Sequence, residues 1–131
     1  MAYGDGDGVP KDYKEAVRWY RKAAEQGDAD AQDSLGSLYA NGDGVPHDYK
    51  EAVKWFRLAA DQGDDDGLYN LGQTYYQGKA VPQDYVQAYG WYSLADAKLA
   101  KNNTAKEMTP DQIARAQELS KELYKKINAA K

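Results

Sequence analysis

The chain has 131 residues, enough for one domain and too few for two. Its 17 basic and 21 acidic side chains give a formal net charge of −4, so it lacks the basic footprint that nucleic acid or an anionic membrane selects. There is no cysteine, which removes disulfides, thiol nucleophiles and thiolate metal sites, and no apolar run of the roughly 18 residues that a membrane span needs.

Residues Met1–Lys11 read as a loop. Tyr3 aligns with Tyr39 and Tyr75, which close helices further on, so the chain enters its own repeat at the last turn of a first helix. Asp12-Tyr13-Lys14-Glu15 then has capping-box spacing and opens a helix expected over 12–26, with Ala16, Val17, Tyr20, Ala23 and Ala24 on its apolar side. Gly27 stands where a left-handed residue ends a helix. Asp28 or Asp30 caps a second helix over 29–41, with Ala31, Leu35, Leu38 and Tyr39 as its stripe. Gly36 lies inside that helix at a cost of about 1 kcal/mol relative to alanine. A large ring lying on it, tryptophan or tyrosine, is the expected reason.

The pattern then restarts. Gly42-Asp43-Gly44-Val45-Pro46 leads into Asp48-Tyr49-Lys50-Glu51-Ala52, as Gly6-Asp7-Gly8-Val9-Pro10 led into Asp12-Tyr13-Lys14-Glu15-Ala16. Tryptophans 19, 55 and 91 and prolines 10, 46 and 82 all recur every 36 residues, the mark of a stacked repeat. Between Tyr3–Leu38 and Tyr39–Thr74, 22 of 36 positions are identical. Helices follow over 48–62, 65–77 and 84–98. The pattern decays at Asp96-Ala97-Lys98, and residues 99–108 read as a short helix or an irregular turn. Thr109-Pro110-Asp111-Gln112 opens a last helix over 110–128, apolar along Ile113, Ala116, Leu119, Leu123 and Ile127 and charged opposite, as a terminal cap requires. The expected fold is all-α, a single domain with repeats over about 3–38, 39–74 and 75–108 and a cap over 109–128.

Leu35-Gly36-Ser37-Leu38-Tyr39-Ala40-Asn41-Gly42, then Asp48-Tyr49-Lys50-Glu51-Ala52, then Trp55-Phe56 with Ala59-Ala60 and Gln62-Gly63, resemble the SEL-one-like repeat, a relative of the tetratricopeptide repeat. The resemblance covers about Tyr3 to Ala95. It implies a right-handed superhelix of antiparallel helix pairs, the first helix of each pair lining a concave face. It also implies an adaptor or regulator that binds other proteins, often in bacterial envelope biology or signalling. Some cysteine-rich members bind penicillin-like compounds; with no cysteine here, that activity is not carried over.

Chemistry has few footholds. His47 is the only histidine, and Lys11 and Gln83 take its place in the other repeats, so it reads as an exposed loop residue. The glycines of the Asp-Gly-Asp-Gly loops recur as helix connections and supply positive φ. Asp64, Asp65 and Asp66 complement a helix start and lack the glycine and glutamate of a calcium loop. No catalytic residue, cofactor or metal is expected. Two binding classes remain: a protein or peptide scaffold, or a receptor for a glycan or cell-wall fragment. By the tetratricopeptide pattern the inward positions are Asp30, Asp33, Ser37, Ala40 and Asn41, and one period on Asp66, Tyr69, Gln73, Tyr76 and Gln77. Variation inside a strict repeat marks positions the fold does not dictate. Tyr69, Gln73, Tyr76 and Gln77, with Asp33, Ser37 and Asn41, are therefore the expected groove. Trp55 is expected to be buried. Trp19 or Tyr20 is expected to be uncovered, leaving a patch through which the isolated chain could self-associate.

Overall fold

The computed structural model describes residues 12–129, so the loop expected over 1–11 lies outside it. The described residues form seven helices and no strand: α1 Tyr13–Glu25, α2 Ala29–Asn41, α3 Tyr49–Asp61, α4 Asp65–Gln77, α5 Tyr85–Leu94, α6 Lys98–Ala105 and α7 Pro110–Ala129.

Local chemistry sets the boundaries. The Asp12 side chain accepts from the Glu15 amide at 3.0 Å, and Asp48 and Asp84 repeat the cap on α3 and α5. Asp28 rather than Asp30 caps α2, and Asp64 caps α4. At α7 the capping box is reciprocal: the Gln112 amide donates to Thr109 Oγ1 at 3.1 Å, and the Thr109 amide donates to Gln112 Oε1 at 2.8 Å. Gly42 and Gly78 end α2 and α4 in the left-handed region, with φ of 72° and 71°.

Consecutive helices pack in antiparallel order, α1 on α2, α2 on α3, α3 on α4 and α4 on α5, while α2 also touches α4. Two contacts set the spacing. A Cβ added at Gly36 would stand 2.7 Å from a carbon of the Phe56 ring; one added at Gly72 would stand 2.8 Å from the Tyr92 ring. The ring over Gly36 is therefore phenylalanine, not the tryptophan or tyrosine that the glycine suggested, because each tryptophan points elsewhere. Trp55 fills a core with Val17, Ala24, Ala31, Leu35 and Leu38, and Trp91 fills the next with Ala60, Leu68, Leu71 and Ile127. Their indole N–H groups donate to Glu51 and Gln87, each at 3.1 Å, so no polar atom is stranded by the burial.

Polar ties repeat with the same period. An Arg21 guanidinium N–H donates to the Tyr39 hydroxyl, and Arg57 does the same to Tyr75. Gln62 Nε2 donates to the Gly27 carbonyl at 2.9 Å and to Gln32 Oε1 at 3.0 Å, and Gln32 Nε2 donates in turn to the Ala24 carbonyl at 3.2 Å.

The helix expected over 84–98 stops at Leu94. Asp96 takes a left-handed φ of 56°, which breaks the helix before α6 begins. α6 and α7 both pack on α5, and Leu119 of α7 meets Gly90. Trp19 is the exception among the tryptophans. It is 54% exposed, against 6% for Trp55 and 2% for Trp91, because no described helix lies on its side of α1.

Trp55→Ala is expected to cost about 3–5 kcal/mol, as large core truncations do, while Trp19→Ala should stay within about 1 kcal/mol. Guanidinium denaturation midpoints of the two variants check the contrast, and equal shifts would contradict the packing described. Ala80 provides a test of backbone strain: it holds a φ of 64° where the preceding repeat has Gly44 at 77°. Ala80→Gly should stabilise by about 0.5–1 kcal/mol, the relieved strain outweighing the extra freedom of the unfolded chain.

Candidate functional site

The face shared by α2 and α4 holds a cavity of about 230 Å³. Ser37 and Asn41 of α2 line one wall; Asn70, Gln73, Thr74 and Gln77 of α4 line the other; Ala52, Val53 and Phe56 of α3 form the floor. Tyr49 and Lys79 close one end, with Lys79 Nζ 5.3 Å from the centre of the Tyr49 ring. Four of the expected groove residues, Ser37, Asn41, Gln73 and Gln77, are thus brought to one place. The ring of Phe56, held over Gly36, supplies an apolar floor under amide and hydroxyl walls.

The other expected residues stand beside it. Asp33 lies off the cavity and accepts from Asn70 Nδ2 at 2.7 Å, which orients a lining amide. Tyr69 packs on Tyr92 with ring centres 5.5 Å apart, and Tyr76 on Tyr85 at 5.4 Å. Tyr85 and Tyr92 sit one period after Tyr49 and Phe56. The compartment that is open between α2 and α4 is therefore filled by tyrosines between α4 and α5. Burial pushes the Tyr92 hydroxyl well above the usual phenol range, and the neighbouring Tyr69 and Tyr76 add to the shift. Asn70, Thr74, Tyr49 and Lys79 were not among the expected residues. Asn70 replaces Ser34 and Lys79 replaces Asp43, so the same variation between repeats marks both of them.

The far end of this face is acidic. Oxygens of Asp33, Asp64 and Asp66 lie within 4.8 Å of one another. Capping explains Asp64, whose side chain accepts from the Gly67 amide at 2.9 Å. Asp33 joins the pair through helix packing, which spacing along one helix does not reveal. Burial is the main cause that pushes its carboxyl from 3.8 up to about 6; the Asn70 hydrogen bond opposes this, and the charges of Asp64, Asp66 and Asp30 reinforce it. Asp64 is also raised, by burial first and by Asp30. His47 is exposed and stands edge-on to Tyr49, with ring centres 4.3 Å apart.

Stacked antiparallel helix pairs with an open polar cavity on one face define a helical repeat scaffold. The Sel1 repeat family model matches residues 1–28, 29–64 and 65–95, and the chain belongs to that family. The matched bounds fall at the starts of α2 and α4. A protective antigen of uropathogenic Escherichia coli with an SLR fold is similar to it at 38% identity and a TM-score of 0.85, over 87% of this chain and 26% of that one. A Sel1 repeat protein from Oxalobacter formigenes is similar at 38% identity and a TM-score of 0.67, over 80% and 43% of the two chains. The chain thus spans about a quarter of the first of these proteins and less than half of the second. No curated protein matches. The fold is a right-handed solenoid of Sel1 helix pairs closed by α7. Proteins of this family generally mediate protein–protein interaction and serve as non-catalytic scaffolds. No described helix is long and apolar enough to cross a membrane.

The raised Asp33 carboxyl makes a signed prediction. The folded state holds this proton more tightly than the unfolded chain, so the contribution is fully present below pH 3.8 and is lost as pH rises through about 6. Asp33→Asn keeps an oxygen for Asn70 and removes the charge. Its melting temperature should exceed that of the parent at pH 7, and the difference should shrink as pH falls through this window. A pH-independent difference would show that the carboxylate is solvated.

Proposed function

We propose that the protein is a non-enzymatic adaptor that holds an extended segment of a partner protein along the face of α2 and α4. The observation that carries this reading is the convergence of Ser37, Asn41, Gln73 and Gln77 on one cavity over an apolar floor. Amides and hydroxyls at this spacing offer both donors and acceptors to a peptide main chain, and the Phe56 floor takes an apolar side chain. A volume of about 230 Å³ suits a single side chain better than a drug-sized molecule, whose pockets run to roughly 300–1,000 Å³.

A glycan would need flat aromatic faces presented to it. Tyr69 and Tyr76 instead lean on Tyr92 and Tyr85 in tilted pairs, and only Tyr69 keeps a large exposed share, 40% of its surface. This supports a peptide over a sugar, and gives the two tyrosines the part of a wall beside the cavity. It also affects the choice of variants. Truncating Tyr69 and Tyr76 together removes two aromatic pairs worth about 0.5–1.5 kcal/mol each, so lost binding would mix with lost stability.

A cleaner experiment places a photo-crosslinking amino acid at Gln77, which is exposed at the cavity, and at Glu122, which is exposed on α7. Irradiation in the host cell should give a discrete protein adduct from position 77 and none from position 122. Identical adducts, or adducts at 122 alone, would move the site away from this face. For the partner so captured, Gln73→Ala with Gln77→Ala should weaken binding by about tenfold, since truncating paired groups leaves partner groups without bonds, with the melting temperature little changed.

A further inference from the structure

The face of α2 and α4 carries charge of opposite sign at its two ends, and neither end is neutralised. Asp33, Asp64 and Asp66 crowd one end, with the charge of Asp30 close by. Lys79 stands at the other, beside the Tyr49 ring. None of these side chains takes part in an ion pair among the described residues. Between the two ends lies the cavity with its Phe56 floor.

Only part of this charge is required by the fold. Asp64 and Asp66 recur one period earlier as Asp28 and Asp30, and a helix start accounts for all four. Asp33 and Lys79 do not recur: Tyr69 stands one period after Asp33, and Asp43 one period before Lys79. Asp33 keeps its charge against burial and against its acidic neighbours, and a cation brought to it would relieve that cost. Its hydrogen bond goes to Asn70, which lines the cavity, so one bond joins the acidic end to the cavity wall. Asp66 and Gln77 are eleven residues apart on α4, with Lys79 just beyond. That is about 16 Å along the helix. An extended chain rises about 3.3 Å per residue, so about five residues span the face.

We propose that the partner segment held here carries a lysine or arginine and an aspartate or glutamate about five residues apart, with an apolar side chain between them. The basic group meets Asp33, Asp64 and Asp66, the apolar one enters the cavity over Phe56, and the acidic one meets Lys79. A uniformly acidic or uniformly basic segment is repelled at one end, and a wholly apolar one leaves both ends unpaired. These marks add the partner's chemistry to the adaptor reading, on which they rest.

The probe is a library of phage-displayed random peptides, which samples both chain directions, selected on the full chain. Enriched peptides should share the basic, apolar and acidic marks, and should fail to bind the chain with Gln73→Ala and Gln77→Ala. One of them, made synthetically, should bind Asp33→Asn about threefold more weakly, the scale of a single exposed ion pair. The same substitution should raise the melting temperature at pH 7, and an aspartate with a purely structural part would not weaken binding while doing so. Lys79→Glu should weaken the peptide by about tenfold, and exchanging the peptide's acidic residue for lysine should restore it. Peptides that need Gln73 and Gln77 but lack the two charges, or that ignore Asp33→Asn and Lys79→Glu, would overturn the charge pattern and leave the adaptor reading standing. No enrichment, or peptides indifferent to Gln73→Ala with Gln77→Ala, would overturn that reading and the charge pattern with it.

Discussion

The closeness of the helices rests on a ring held against a bare backbone. Phe56 over Gly36 and Tyr92 over Gly72 let α2 approach α3, and α4 approach α5, more tightly than any residue with a Cβ allows. The approach brings Trp55 into a core that joins α1, α2 and α3, and Trp91 into one that joins α3, α4, α5 and α7. A glycine inside a helix costs about 1 kcal/mol in propensity. Burying a whole aromatic ring against it returns more than that. The same notch also places the Phe56 ring as the floor of the cavity between α2 and α4. Fold and candidate site thus depend on one contact.

The two ends of the α2–α4 face differ in kind. At one end, carboxylates crowd together, and the energetic cost appears as a proton held by Asp33 above its ordinary range. At the other, neutral amides and hydroxyls surround a cavity and Lys79 leans on Tyr49. A segment lying along the face would meet an acidic end and an end of amides and hydroxyls closed by Lys79, which gives it a direction. The unequal repeats produce this polarity. Tyrosines pair across α4 and α5, whereas the matching place beside α2 holds the cavity.

Most of the fold is legible in the sequence because the chain is nearly a copy of itself. Caps at Asp12, Asp48, Asp84 and Thr109 and stops at Gly42 and Gly78 follow from local chemistry that any copy repeats. The exposure of Trp19 goes with the lack of a described helix on its side of α1. Of the groove, Ser37, Asn41, Gln73 and Gln77 are found by comparing repeats, since variable positions stand out against a constant frame. What the sequence hides is what packing decides. Phe56 and Trp55 are neighbours of similar character, and only the helix rotation shows which one meets Gly36. The end of α5 depends on Asp96 entering a left-handed turn that glycine usually marks. The approach of Asp33 to Asp64 and Asp66 joins two helices whose spacing along the chain carries no signal.

The two cores also differ in how far along the chain their members lie. The core around Trp55 draws only on α1, α2 and α3, a run of consecutive segments. The core around Trp91 includes Ile127 near the far end of α7. During synthesis the first can close as soon as α3 leaves the ribosome, whereas Trp91 stays open until α7 has emerged. Contacts between distant segments form late, and apolar groups that wait for them are the ones chaperones meet. The two cores therefore close in order, that of Trp55 first and that of Trp91 only once α7 is in place.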